Sequence, residues 1–327
     1  FLCDDGEPRR GFALLNTVIV DMRKQRRLGA HSGAVLDVKW NSAGTYCMTS
    51  GKDGVVRLWN PHRAAEEGAE SDGLQIRAYD GAHAQGVHGV CISHDSARFA
   101  SCGEEKAAWE WDVVAGTTTR KFWGHAARIN ACAYNVDATV LFTASNDRTI
   151  RAWDLRARGG PPIQTMEGFG DSVTSLFVND HAVVAGSVDG AVSTFDLRAG
   201  VVRRDELGVA VTCVSPSNDG ACVLVSCLDN AIRLLESASG MVLNTYSGGG
   251  HASKSLKLGS CLSRDDARVY SGGERDGTVR VWDIVGVAVA ERLEGHTMPV
   301  CAVAYHPRAN MLLTASVDGD AYCWAGE

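Results

Sequence analysis

The chain has 327 residues, 45% hydrophobic and 22% charged, with 32 basic and 39 acidic side chains for a net charge of −7. This is ordinary globular composition, and seven prolines without a low-complexity tract argue against extensive disorder. A mildly acidic chain has no bulk attraction for phosphate backbones, so nucleic acid is not its default partner. The eleven cysteines are scattered singly, with no C-x-x-C pair. The nearest two, Cys222 and Cys227, have no matching His or Cys pair downstream, so zinc and disulfide frameworks are weak readings. Free thiols in a reducing compartment, cytosol or nucleus, are expected instead.

In chain order, residues 1–21 form an N-terminal extension ahead of the first repeat. Its apolar run Gly11–Val20 is half the roughly 20 residues a membrane-spanning helix needs. The opening Phe1 leaves room for residues upstream. From residue 22 to 327 one pattern recurs seven times. Aromatic or large apolar markers stand at Trp59, Trp111, Trp153, Phe195, Leu235, Trp282 and Trp324, with steps of 52, 42, 42, 40, 47 and 42 residues. Six residues before each lies an acid: Asp53, Glu105, Asp147, Asp189, Asp229, Asp276 and Asp318. A histidine opens five repeats, at His31, His83, His125, His251 and His296. Four of these lie 28 residues before their Trp, and His251 lies 31 before. Asn60, Asp112, Asp154, Asp196 and Asp283 follow five of the markers.

A period of roughly 40–45 residues with these marks resembles the WD repeat. Within one repeat, Ile129, Ala131 and Ala133 alternate as a strand requires, Val140, Phe142 and Ala144 form a second run, and Ser145–Arg148 reads as a turn. A single four-stranded sheet cannot cover its own faces, so the sheets must stack radially. The expected fold is therefore all-β, a seven-bladed WD40 β-propeller over residues 22–327. The last repeat ends at Trp324 without an outer strand. Residues 22–28, which stand before His31 as Arg120–Trp123 stand before His125, are expected to supply it. Two insertions interrupt the period: the acidic, glycine-containing stretch 64–75, read as a surface loop, and residues 252–257 in repeat six.

The WD-repeat resemblance implies buried hydrogen-bonded sets of His, turn acid, hydroxyl and Trp. These would be His31, Asp53 and Trp59; His125, Asp147 and Trp153, with Thr143 or Ser145 as the hydroxyl; His251, Asp276 and Trp282; and His296, Asp318 and Trp324. Their expected role is structural. A triad is recognised by converging geometry and not by residue type, and no phosphate loop, nucleophile elbow or H-E-x-x-H motif accompanies them. No catalytic, cofactor or metal site is expected. Partners are expected on the flat face carrying the turn before the third strand, where Lys52, Asn146 and Arg275 precede their acids and Arg128 and Met298 sit at strand entrances. Cations mixed with apolar residues there suit a peptide with an acidic group and a hydrophobic anchor, although each position alone also reads as a solvated turn residue. Arg57, Arg151, Arg233 and Arg280 recur two positions before the marker, with stems expected to be buried between blades.

The stretches GTYCMTSGKDGVVRLWNPHR (Gly44–Arg63), SCGEEKAAWEWDVVAGTTTRKFWGH (Ser101–His125), AGSVDGAVSTFDLRAG (Ala185–Gly200) and SCLDNAIRLLESASG (Ser226–Gly240) carry a closer resemblance. With them the chain resembles the mitogen-activated protein kinase organizer family of WD-repeat scaffolds, also found with spliceosomes. That resemblance implies a non-catalytic interaction scaffold in the nucleus and cytoplasm, with splicing factors and kinase-cascade components as partners, RNA met only within a ribonucleoprotein, and no membrane partner. Two other readings compete. LFTASNDRTIRAWDLR (Leu141–Arg156) resembles the box by which some WD proteins dock on a cullin-4 adaptor, with Asp147, Trp153, Asp154 and Arg156 as its key residues. Trp40, Trp109 and Trp123 could stack on RNA bases if exposed.

Overall fold

The computed structural model describes residues 22–65, 72–157 and 159–326. The extension 1–21 and most of the acidic insert lie outside them.

Among the described residues, twenty-eight strands form seven four-stranded antiparallel sheets. The outermost strand of the last sheet comes first in sequence, β1 (Met22–Gly29). Blade one is β2 (Val35–Trp40), β3 (Cys47–Gly51), β4 (Val56–Ala64) and β5 (Gly73–Tyr79). The same order, innermost strand first, repeats through blade two (β6–β9, 87–123), blade three (β10–β13, 129–166), blade four (β14–β17, 173–206), blade five (β18–β21, 211–246) and blade six (β22–β25, 260–293). Blade seven consists of β26 (Val300–Tyr305), β27 (Met311–Ser316), β28 (Asp320–Gly326) and then β1. Met22 pairs with Gly326 and Leu28 with Ala321. The two ends of the described chain thus share one sheet, as the basic run before His31 predicts.

The core is divided into seven apolar clusters, each spanning two neighbouring blades. Phe122 and Trp153, for example, lie in one cluster with Ala100, Ile129 and Leu141, across the seam of blades two and three. Leu28, Trp59 and Leu313 lie across the seam that closes the ring, between blades seven and one. The repeating aromatic is therefore the filler of a seam, and Phe195 and Leu235 do the same work where Trp is absent. No blade buries its faces alone, so the ring is the stable unit.

The turn between the second and third strands of every blade carries positive φ at the residue after its marker acid. Glycine takes that position four times, at Gly54, Gly190, Gly277 and Gly319, and Lys106, Arg148 and Asn230 take it in the other three blades. Only glycine enters this conformation without a steric cost.

Candidate functional site

The hydrogen-bonded sets are formed in four blades. In blade three, Trp153 Nε1 donates to the Thr143 hydroxyl at 2.9 Å. The hydroxyl lies 2.8 Å from His125 Nε2, and His125 Nδ1 lies 2.7 Å from Asp147. With the indole N–H spent on Thr143, the hydroxyl donates to Nε2 and the Nδ1 proton goes to the carboxylate, which satisfies every member. Thr143, not Ser145, is the hydroxyl; Ser145 instead donates to the Arg128 carbonyl. Thr49 serves His31, Asp53 and Trp59 in the same way, Ser101 serves His83, Glu105 and Trp111, and Thr314 serves His296, Asp318 and Trp324. Burial raises the Asp318 carboxyl, but the His296 hydrogen bond and charge, with the N–H groups of Thr297 and Asp320, together outweigh it and hold the group at about 2. Each hydroxyl is buried and committed to both the imidazole and the indole, so none is placed to attack a substrate.

Blade six departs from this expectation. Among the described residues His251 Nδ1 has no hydrogen-bond partner, and Trp282 Nε1 turns to the Ser247 carbonyl at 3.4 Å. Asp276 binds Arg280 at 2.5 Å instead of His251. The cause is register. Ser271 pairs with Arg280 as Thr143 pairs with Arg151, yet Ser271 precedes Trp282 by eleven residues where Thr143 precedes Trp153 by ten. One extra turn residue moves the acid, and the 252–257 insertion moves the histidine. Burial, with Arg280 nearby, lowers His251 to about 4.

The shift also corrects the partner surface. The turn position that Lys52 and Asn146 occupy in blades one and three is marked by its N–H donating to the strand-entrance carbonyl, of Ala34 and Arg128 respectively. In blade six the residue that does this, to Ala252, is Glu274, and Arg275 is the exposed residue beyond it. Glu274 accepts from the Lys254 and Ser255 N–H groups and from the Ser255 hydroxyl, and so anchors the insertion on the face.

Lys52, Arg128 and Met298 are exposed on that face. Asn146 is half-buried and accepts from Asn130 Nδ2 at 2.6 Å. The face divides by chemistry. Around blades one to three a cavity of about 530 Å³ is lined by Leu36, Lys52, Gln85, His88, Glu104 and Arg128, among others. Glu104 lies 2.7 Å from His88 Nε2 and 3.7 Å from Arg128. On blades four, five and seven the turn and entrance positions Val188, Leu228, Val317 and Met298 are apolar and open to solvent to differing degrees. Sequence reasoning missed His88 and Lys257, which enter this face only through the fold.

The adaptor-box residues are split. Asp147 and Trp153 are spent in the buried set, and Asp154 accepts from Arg156 N at 2.8 Å while the Arg156 side chain is 74% exposed. Of the candidate stacking residues, Trp123 is 76% exposed, whereas Trp109 is buried and Trp40 donates to the Ala304 carbonyl. The recurrent arginines have a role that spacing did not show. Arg57, Arg233 and Arg280 each reach back four residues to the turn acid.

The model of the WD domain, G-beta repeat, matches residues 22–60, 116–154, 206–235, 242–283 and 288–325, together more than half of the chain. Human WD repeat domain-containing protein 83 is 41% identical over 305 residues, spanning 93% of this chain and 92% of that protein. The rat protein of the same name is 40% identical, spanning 93% of each. The Dictyostelium discoideum homolog is 29% identical over 91% of this chain and 96% of its own. With the seven closed sheets and their buried His–hydroxyl–Trp sets, this similarity shows that the chain belongs to the WD repeat domain-containing protein 83 family of WD-repeat propellers.

Proposed function

We propose that the chain is a protein-interaction scaffold that gathers mitogen-activated protein kinase cascade components and also joins pre-mRNA splicing complexes, in nucleus and cytoplasm. The interaction-scaffold part follows from the propeller and its family. The two cellular settings rest on the resemblance carried by Gly44–Arg63, Ser101–His125, Ala185–Gly200 and Ser226–Gly240. The observation that carries most weight is that one face presents a charged cavity at blades one to three and apolar turn positions on blades four, five and seven, because this offers a partner both an orienting charge and an anchor. Affinity purification of the full chain from nuclear and cytosolic extracts, with mass spectrometry, tests the proposal. Kinase-cascade proteins in the cytosolic sample and splicing factors in the nuclear one are expected. Recovery of neither set refutes it.

A further inference from the structure

The insertion in blade six is a loop of five residues, Ser253 to Lys257, between the carbonyl of Ala252 and Leu258 at the entrance of the innermost strand. Glu274 holds its first half. Its last residue reaches over the central channel, and Lys257 Nζ lies 3.3 Å from the Asn130 carbonyl of blade three. Asn130 is bonded in turn to Asn146 and to the Val173 carbonyl, so the lysine is brought to a fixed wall. This places Lys257 beside the cavity of Lys52, His88 and Arg128, near enough to His88 to oppose its protonation. Four separate blades thus supply three cations and a histidine to one mouth, in a chain of net charge −7. The carboxylate lining that cavity is Glu104, which already bonds His88 and faces Arg128.

We propose that this mouth is a receptor for a carboxylate: a glutamate or aspartate of an extended protein segment docks among Lys52, Arg128 and Lys257, taking the place Glu104 now holds against Arg128. The proposal rests on the scaffold reading and deepens it by naming the chemistry of the bound segment. Charge complementarity selects the occupant, and Glu104 shows that a carboxylate fits there. A phosphate dianion is a poorer match, since a single guanidinium is present and Glu104 opposes a second negative charge. Single-stranded RNA needs stacking faces, and the lining contains no Trp, Tyr or Phe. Leu36 at the cavity favours an aliphatic neighbour to the acid.

Fluorescence anisotropy with the purified full chain tests this. The probe is a labelled decapeptide of alternating Leu and Glu; the comparisons are its Leu–Gln analogue, a phosphoserine analogue and a uridine decanucleotide. The Glu peptide is expected to bind about tenfold tighter than the Gln peptide, and Arg128→Glu or Lys257→Glu to weaken it by about the same factor. Glu104→Gln removes the internal competitor and is expected to tighten binding several-fold, an effect that general loss of structure cannot mimic. Unchanged melting temperatures establish that the variants fold. Equal binding of the Glu and Gln peptides, no gain from Glu104→Gln, or a preference for phosphopeptide or RNA overturns the proposal. A wild-type chain that retains cascade or splicing proteins but ignores the Glu peptide sinks this inference alone. A chain that retains neither set sinks the scaffold reading.

Discussion

Thr143→Val isolates the contribution of the buried polar sets. Valine matches threonine in shape, so packing is kept while a hydroxyl is lost. The Trp153 indole N–H, now 2.9 Å from that oxygen, and His125 Nε2, 2.8 Å from it, would both lose their partner in a site closed to water. Each stranded group costs roughly 1–3 kcal/mol, so the variant should lose about 4 kcal/mol. Blade six supplies the control. Ser271 occupies the equivalent strand position and is as deeply buried, but its Oγ makes only marginal contacts, 3.3 and 3.4 Å, to the carbonyls of Gly272 and Gly259. Ser271→Ala should cost about 1 kcal/mol. Urea unfolding followed by tryptophan fluorescence reads the difference: with a slope near 3 kcal/mol/M, the two midpoints should separate by about 1 M. If Ser271→Ala costs as much as Thr143→Val, the hydrogen-bonded relay is not what holds these blades, and blade six does not differ from blade three in the way its register suggests.

Stability should decline as the medium is acidified, beginning near pH 6.5. His251 is lowered to about 4 in the fold, so the unfolded chain takes up its proton first, and the stability this represents, of order 3 kcal/mol, is complete above about pH 6.5 and lost as pH falls through about 4. Thermal unfolding of His251→Phe across that range should show a shallower slope, and an unaltered slope would assign the decline elsewhere. Arg148→Gly, at a turn position with φ 66°, should raise stability by about 0.5–1 kcal/mol in the same urea assay, and a loss would contradict the strain argument. Leu28→Ala, at a fully buried position on β1, should cost about 3 kcal/mol and loosen blade seven in hydrogen exchange; exchange confined to any other blade would refute its role in closure. Arg156→Ala should leave the melting temperature unchanged, because its exposed side chain pairs with Asp154 at the surface; loss of a cullin-4 adaptor from purified complexes on that change would favour docking on that adaptor.

The architecture was legible because its signals repeat. Trp153, Asp147 and His125 stand at spacings that recur in other blades, and each spacing corresponds to one geometric event, a seam filler, a turn and a buried bond. Ring closure by residues 22–28 was legible for the same reason, since Arg120–Trp123 provides an internal template. The reading failed where the period itself slips. Around Trp282 a one-residue turn insertion and a five-residue loop leave the letters His, Asp and Trp in place but move their side chains apart, and Glu274 rather than Arg275 holds the turn position. The charged mouth was half legible. Lys52 and Arg128 follow from turn positions, but Lys257 stands 129 residues from Arg128 and meets the wall of blade three only through the circular arrangement. No local pattern encodes such a meeting. The reach of Arg57, Arg233 and Arg280 to their turn acids does not follow from their place two residues before the marker, which accounts only for stems packed between blades.

The pairing of Met22 with Gly326 makes the order of the blades along the gene largely arbitrary. A short linker joining these two residues, with new ends opened in the exposed turn between Leu197 and Gly200, should regenerate the same disc from a circularly permuted chain. Fusion partners attached at the described ends would both emerge at the rim of one blade, side by side, and leave the charged cavity and the apolar turn positions of the flat face unobstructed.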